Sequence, residues 1–302
     1  MDSNFALTVN QITKKYQDHL AVDQVSFSVE KGSIFGMLGP NGAGKTSIIR
    51  MITSITHPDQ GEILFFGDQL KFSDRLKIGY MPEERGLYKK MSVADQLIYL
   101  CRLKGVGLAE AKKRLDYWAD KLDFGSWMKK NVEDLSKGMQ QKIQFVSTVM
   151  HEPELLILDE PFSGLDPVNA NIIEKQIVEL NQKGTTIIFS THRMEQVEQF
   201  CQEIVLINKG KNILEGKVSQ IRNEKKEGLY ELEWIPKELL PDFADVKLEW
   251  MHDSKIKFYA PDIESANRIV LNLLQHDYQV QSFHEILPTL NEIFIKAVKQ
   301  IQ

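Results

Sequence analysis

A chain of 302 residues, 42% hydrophobic and 26% charged, has enough apolar material for a sizeable core, and its length predicts two domains. Its formal net charge of −5 provides no basic excess, so protein partners are expected and nucleic acid is not. No apolar stretch approaches the roughly 20 residues that span a bilayer. The opening Met1-Asp2-Ser3-Asn4-Phe5 lacks a signal-peptide pattern, so a cytosolic location is expected.

The first strand-like runs are Ala6 to Gln11 and Val25 to Val29, with a lone aromatic, Tyr16, in the polar stretch between them. An apolar run, Ile34 to Leu38, precedes Gly39-Pro40-Asn41-Gly42-Ala43-Gly44-Lys45-Thr46, and a helical pattern follows from Lys45 to Ile55. Gly61 to Gly67 reads as a short strand or hairpin. From Ser92 to Trp127 apolar residues recur at steps of three and four, which predicts an α-helical insert within about residues 90–150. Two continuous apolar runs, Leu155 to Leu158 and Thr185 to Ser190, flank a helix from about Val168 to Lys183 and suit a parallel sheet covered on both faces. Cys101 and Cys201 lack C-x-x-C spacing and read as core thiols.

The charged stretch Arg222 to Gly228 reads as a linker between a domain at 1–222 and a second at 229–302. In the second, Leu229 to Trp234, Lys247 to Met251, Lys255 to Tyr259 and Val280 to Ile286 read as strands, and Ile263 to Gln275 as a helix. A last amphipathic helix opens behind Pro288 with the capping-box spacing Thr289-x-x-Glu292.

Residues 39–46 fit the phosphate-loop pattern G-x-x-x-x-G-K-[ST] between a strand and a helix, the context that supports it. Its glycines let backbone N–H groups face a phosphate, and the helix dipole adds positive charge there. Lys45 reaches the β- and γ-phosphates, Thr46 is placed for Mg2+, and Ser47 continues the nucleotide contact. A phosphate loop alone fits kinases, GTPases, motors and ATPases. Asp159 closes an apolar strand as a Mg2+-facing carboxylate, and the adjacent Glu160 can polarise an attacking water, which favours hydrolysis.

With Ser136-Lys137-Gly138 before that pair, Ser163 to Asp166 after it, Glu83 in Tyr80-Met81-Pro82-Glu83, and His192 past the next strand, residues 4–220 resemble the ATP-binding subunit of ABC transporters. The resemblance implies an α/β fold: a P-loop NTPase domain of ABC type with a β-rich N-terminal subdomain and a helical insert, followed by a small α+β domain. It implies ATP and Mg2+, with Tyr16 stacking on adenine and Glu83 joining Thr46 and Asp159 at the metal. His192 would contact the γ-phosphate. It also implies head-to-tail closure of a homodimer, or of a pair of such subunits, in which Ser136 and Gly138 cap the partner's γ-phosphate and Asp166 couples the two sites. A separate multi-spanning membrane permease would place the chain on the cytoplasmic face of the cell membrane.

Two departures stand out. Glu83 occupies a place where the family usually has glutamine, and an ionised carboxylate donates no hydrogen bond. The signature reads Leu135-Ser136-Lys137-Gly138-Met139 where Leu-Ser-Gly-Gly-Gln is commoner. The stretch Tyr80 to Tyr88 and the C-terminal domain look like a bacterial exporter subgroup that includes NatA-type sodium-efflux ATPases, with drug or peptide export as alternatives. A soluble ABC ATPase acting on ribosomes or DNA is the rival reading. Against it stand the single phosphate loop and the span of only about ninety residues between Lys45 and Leu135.

Overall fold

The computed structural model describes residues 4–84, 86–235, 247–252 and 254–301. They form two compact units that divide between Lys217 and Val218. Among the described residues no helix is long and apolar enough to cross a membrane.

The first unit opens with an antiparallel hairpin, β1 (Phe5–Tyr16) and β2 (His19–Glu30). The expected strand end at Gln11 is a bulge: Gln11 takes a φ of 47°, the pairing slips between Val9 and Ile12, and the strand continues to Tyr16. Next come β3 (Ile34–Leu38), α1 (Lys45–Ile52), β4 (Gln60–Phe65), β5 (Asp68–Gln69) and β6 (Ile78–Met81). The helical insert holds α2 (Val93–Leu103), α3 (Leu108–Lys121) and α4 (Lys137–Val149). The rest is β7 (Leu155–Asp159), α5 (Pro167–Gln182), β8 (Thr186–Thr191), α6 (Met194–Phe200), β9 (Glu203–Asn208) and β10 (Lys211–Lys217).

These strands make two sheets. One has the order β2-β1-β4-β5, and the other β10-β9-β3-β8-β7-β6. The second is parallel from β9 to β6, with β10 antiparallel at its edge. Every residue of β3, β7 and β8 is buried, as their unbroken apolar runs require of strands covered on both faces. Because β3, β6, β7 and β8 run in one direction, the segments that follow them emerge along one edge of the sheet. The helical stretch expected from Ser92 to Trp127 is two helices broken at Lys104–Gly107; α2 is capped by Ser92 Oγ, which accepts from the Asp95 N–H at 3.1 Å. Trp118 of α3 meets Phe145 of α4 edge-on, with ring centroids 6.2 Å apart.

The second unit contains α7 (Val218–Glu224), β11 (Leu229–Trp234), β12 (Lys247–His252), β13 (Lys255–Tyr259), α8 (Ile263–Gln275), β14 (Val280–Ile286) and α9 (Leu290–Ile301). Part of the expected linker is therefore helical: Arg222 lies in the last turn of α7, and its guanidinium donates to the backbone carbonyls of Pro288 and Leu287. The sheet order is β12-β13-β11-β14, all antiparallel, around a core of Tyr230, Leu232, Trp234, Ile256 and Phe258. The capping box at α9 forms in both directions: Thr289 N–H donates to Glu292 Oε2 at 2.7 Å, and Glu292 N–H to Thr289 Oγ1 at 3.2 Å.

Candidate functional site

The loop between β3 and α1 is shaped by close approach. A Cβ on Gly39 would lie 2.1 Å from the Ile207 carbonyl oxygen, and Gly44, at a φ of 109°, would set one 2.6 Å from that of Ala21. The outer side is open, since a Cβ on Gly42 would meet nothing within 4 Å. Half-buried Pro40 and exposed Asn41 complete the arch, Ala43 is buried beneath it, and Thr46 and Ser47 follow in the first turn of α1. That turn carries no acidic residue, which leaves the helix's positive end available to an anion.

Lys45 is buried, with Nζ donating to the carbonyls of Gly39 at 2.6 Å and Pro40 at 3.2 Å. Burial pulls its pKa below the usual lysine value, against the opposing pull of Glu160, Asp159 and Glu83. Asp159, at the end of β7, is buried and accepts from Ser190 Oγ at 2.7 Å across the β7–β8 register. Burial raises its pKa, Glu160 and Glu83 add to the rise, and Ser190 and Lys45 oppose it. The site therefore holds a lysine and a carboxylate whose charged forms are both disfavoured by burial, although each lies in the other's field.

Glu160 has a φ of 50°, a region that costs a non-glycine residue about 1 kcal/mol or more. This backbone turn accompanies a fixed carboxylate. Oε1 accepts from the His192 N–H at 2.8 Å and lies 2.6 Å from His192 Nδ1, while Oε2 accepts from Thr191 Oγ1 at 3.1 Å. With a proton on Nδ1, His192 donates to this carboxylate. The His192 side chain is about half exposed and the Glu160 side chain almost fully buried.

Lys45, Glu83, Asp159, Glu160 and His192 thus share one sheet edge. Ser136, Gly138 and Asp166 form a second group. Ser136 caps α4 through Oγ, which accepts from Met139 N–H at 3.3 Å, and Gly138 lies against Asn169 and Leu165. Asp166 caps α5, accepting from the Val168 and Asn169 N–H groups at 3.0 Å each. These bonds, with one from the Asn169 side chain, hold its pKa below the usual carboxylate value. Tyr16 stands apart at the end of β1, partly exposed, with Lys14 Nζ 5.8 Å from its ring centroid.

Ser190, the Thr191 hydroxyl, Gln96, Gln141 and Gln144 had no role in the sequence reading. Gln141 donates to the Pro161 carbonyl at 3.1 Å, beside Glu160. Ser190 was findable in principle, because the residue paired with a strand-end carboxylate is a natural donor to it. Beside the segment carrying Glu83 lies a cavity of about 600 Å3, with Phe72, Tyr80, Pro82, Leu100, Leu103 and Gln144 in its lining. His151 in its wall is pushed down to about 3 by burial and by Lys104, so it stays neutral at physiological pH.

A family profile described as "ABC transporter" matches residues 22–163, and one described as "ATP-binding protein DrrA1-3-like, C-terminal domain" matches 216–298. The ABC transporter ATP-binding protein YhaQ of Bacillus subtilis (strain 168) is 40% identical over 298 residues, 97% of this chain and 98% of its own. The chain belongs to the family of ABC transporter ATP-binding proteins. The ABC transporter ATP-binding protein NatA of the same organism is 35% identical, over 74% of this chain and 94% of its own. A solved structure of an ATP-binding subunit of an ABC transporter superposes with a TM-score of 0.68 at 29% identity, over 72% of this chain and 92% of the other. The fold is accordingly the P-loop ATPase fold of ABC proteins, with a β-rich core, a helical insert and a small C-terminal α+β domain. A subunit of this family binds and hydrolyses ATP and pairs with a membrane permease.

The residues present suit Mg2+ as well as ATP. Among the described residues no three His, Cys, Asp or Glu side chains form a metal cage of their own. A Mg2+ bound through one or two carboxylates, a hydroxyl, phosphate oxygens and water needs no such cage. The buried, under-neutralised Asp159 supplies the demand for positive charge.

Proposed function

We propose that ATP turnover here is catalysed by Glu160 as the general base, held in line by His192 and Thr191. The observation that carries this reading is the carboxylate of Glu160, fixed by three contacts, one to Thr191 and two to His192. Lys45 and loop N–H groups between Asn41 and Thr46 bind and orient the β- and γ-phosphates, and Tyr16 stacks on adenine. His192 offers Nε2 toward the γ-phosphate side while Nδ1 steadies Glu160. Thr46, Asp159 and Glu83 would hold Mg2+, which when bound neutralises phosphate charge.

Residues 1–222 constitute the nucleotide-handling domain in this reading, and 229–302 an accessory domain. Two copies, or this chain and a paired nucleotide-binding subunit, close head to tail. Ser136 and Gly138 then cap the γ-phosphate held by the other copy, with the N-terminus of α4 adding its dipole, and Asp166 couples the two sites. Loss of the γ-phosphate on hydrolysis weakens closure, which drives the permease. The cavity beside Glu83 receives the permease's cytoplasmic segment, so the chain works peripherally on the cytoplasmic face of the membrane.

The similarity to NatA over 94% of that protein and the DrrA1-3-like C-terminal domain support an exporter of the NatA-type subgroup. Sodium efflux is the cargo reading, with drug or peptide export as its alternative. The test is purification of tagged Glu160→Gln protein with ATP from detergent-solubilised native membranes. Co-purification of a multi-spanning protein is expected; recovery of ribosomal or DNA-associated proteins alone would overturn the transporter reading.

A further inference from the structure

Sheet pairing does not hold Glu83 in place: β6 ends at Met81, and Glu83 is exposed. The segment after β6 is gripped instead by two buried side chains of the helical insert. Gln144 of α4, only 3% exposed, donates from Nε2 to the carbonyls of Pro82 at 2.8 Å and Glu84 at 3.4 Å, the two residues that flank Glu83. Gln96 of α2, fully buried, accepts from the Tyr88 N–H at 2.6 Å.

Each amide is only half used. Gln144 Oε1 and Gln96 Nε2 are buried without a hydrogen-bond partner among the described residues. An unsatisfied buried polar atom costs about 1–3 kcal/mol, which a methionine of similar length would avoid. Stability alone therefore does not account for glutamine at either position, whereas a need to grip this backbone does. The helix that bears Gln144 also opens with Ser136 and Gly138, and its Gln141 reaches the carbonyl of Pro161. One helix thus touches the segments that carry Glu83 and Glu160.

We propose that Gln144 is a positioning residue that holds Glu83 toward the metal from the signature helix, with Gln96 anchoring the far end of the same segment. The inference rests on the reading of Glu83 as a Mg2+ ligand. Its test uses the full chain carrying Glu160→Gln, with Mn2+ as the probe. Mn2+ binding in the presence of ATP is followed by the EPR signal of the free ion, and ATP binding is measured separately in EDTA.

Gln144→Met, and independently Gln96→Met, are expected to weaken Mn2+ binding about tenfold, the scale of losing a group that orients a ligand. ATP affinity in EDTA should stay within about twofold of the parent, showing that the phosphate loop is folded. Glu83→Ala should give a comparable loss, and adding Gln144→Met to it should cause no more. Parental Mn2+ affinity in both glutamine variants, beside a loss in Glu83→Ala, would overturn the tether while leaving Glu83 as a ligand. A further full loss in the double variant would do the same, since Gln144 would then act independently of Glu83. Parental Mn2+ affinity in Glu83→Ala would overturn the reading of Glu83, and the tether with it.

Discussion

Asp159 and Glu160 are adjacent, buried and treated differently. Glu160 is surrounded by donors, while Asp159 has one hydroxyl donor, with Lys45 and two carboxylates in its field. Burial raises the Asp159 pKa above its ordinary value of 3.8, so folding disfavours the charged form relative to the unfolded chain. The associated stability is present at low pH and is lost as pH rises through the folded pKa, so at neutral pH the charge opposes folding of the metal-free protein. Asp159→Asn should therefore raise the Tm of the metal-free protein by about 2–4 °C while abolishing Mg2+-dependent ATP hydrolysis. Differential scanning calorimetry in EDTA decides this, and an unchanged or lower Tm would count against the charge imbalance. Lys45, Asp159 and Glu160 stand out in the sequence by their places in the phosphate loop and at a strand end, and His192 through the family resemblance; the structure brings the four to one sheet edge. Ser190, Gln96 and Gln144 do not stand out in the sequence. Their contacts depend on cross-strand register and on which face of α4 meets Pro82, and local spacing carries neither.

At the scale of elements, the clearest signals were unbroken apolar runs and caps. β3, β7, β8 and most of the second unit follow them closely. Other elements had a weaker signal or went unnoticed. The bulge at Gln11 interrupts the alternation of β1, and α7 is a brief, charged helix; β9 has an apolar run, Ile204 to Ile207, as long as that of β7, and was not singled out. Helix caps connect this scale to function. Ser136→Ala removes the side-chain acceptor at the start of α4 and should destabilise the protein by about 1 kcal/mol, the usual cost of losing an N-cap. If Ser136 also caps the partner's γ-phosphate, ATP-driven dimerisation should weaken more than the loss of stability explains. Sedimentation with ATP, set beside a denaturant titration, separates the two effects; unchanged dimerisation would confine Ser136 to a structural role.

At the scale of the molecule, the two units have separate cores. One is built around Leu7, Phe35, Ile48, Ile157 and Ile188, and the other around Tyr230, Leu232, Trp234 and Phe258. Trp234→Ala should cost the second unit about 3–5 kcal/mol while ATP affinity of the first stays within about twofold. Hydrogen exchange should then quicken in β11 and β13 and not in β3 or β7; equal quickening in both would mean that the units unfold together. The measurement that bears most directly on the ATPase is the turnover and association state of Glu160→Gln with ATP and Mg2+. Loss of a general base predicts a fall in turnover of at least about a hundredfold, with ATP retained and dimers accumulating in light scattering. A variant that hydrolysed ATP at the wild-type rate, or bound ATP without associating, would contradict it.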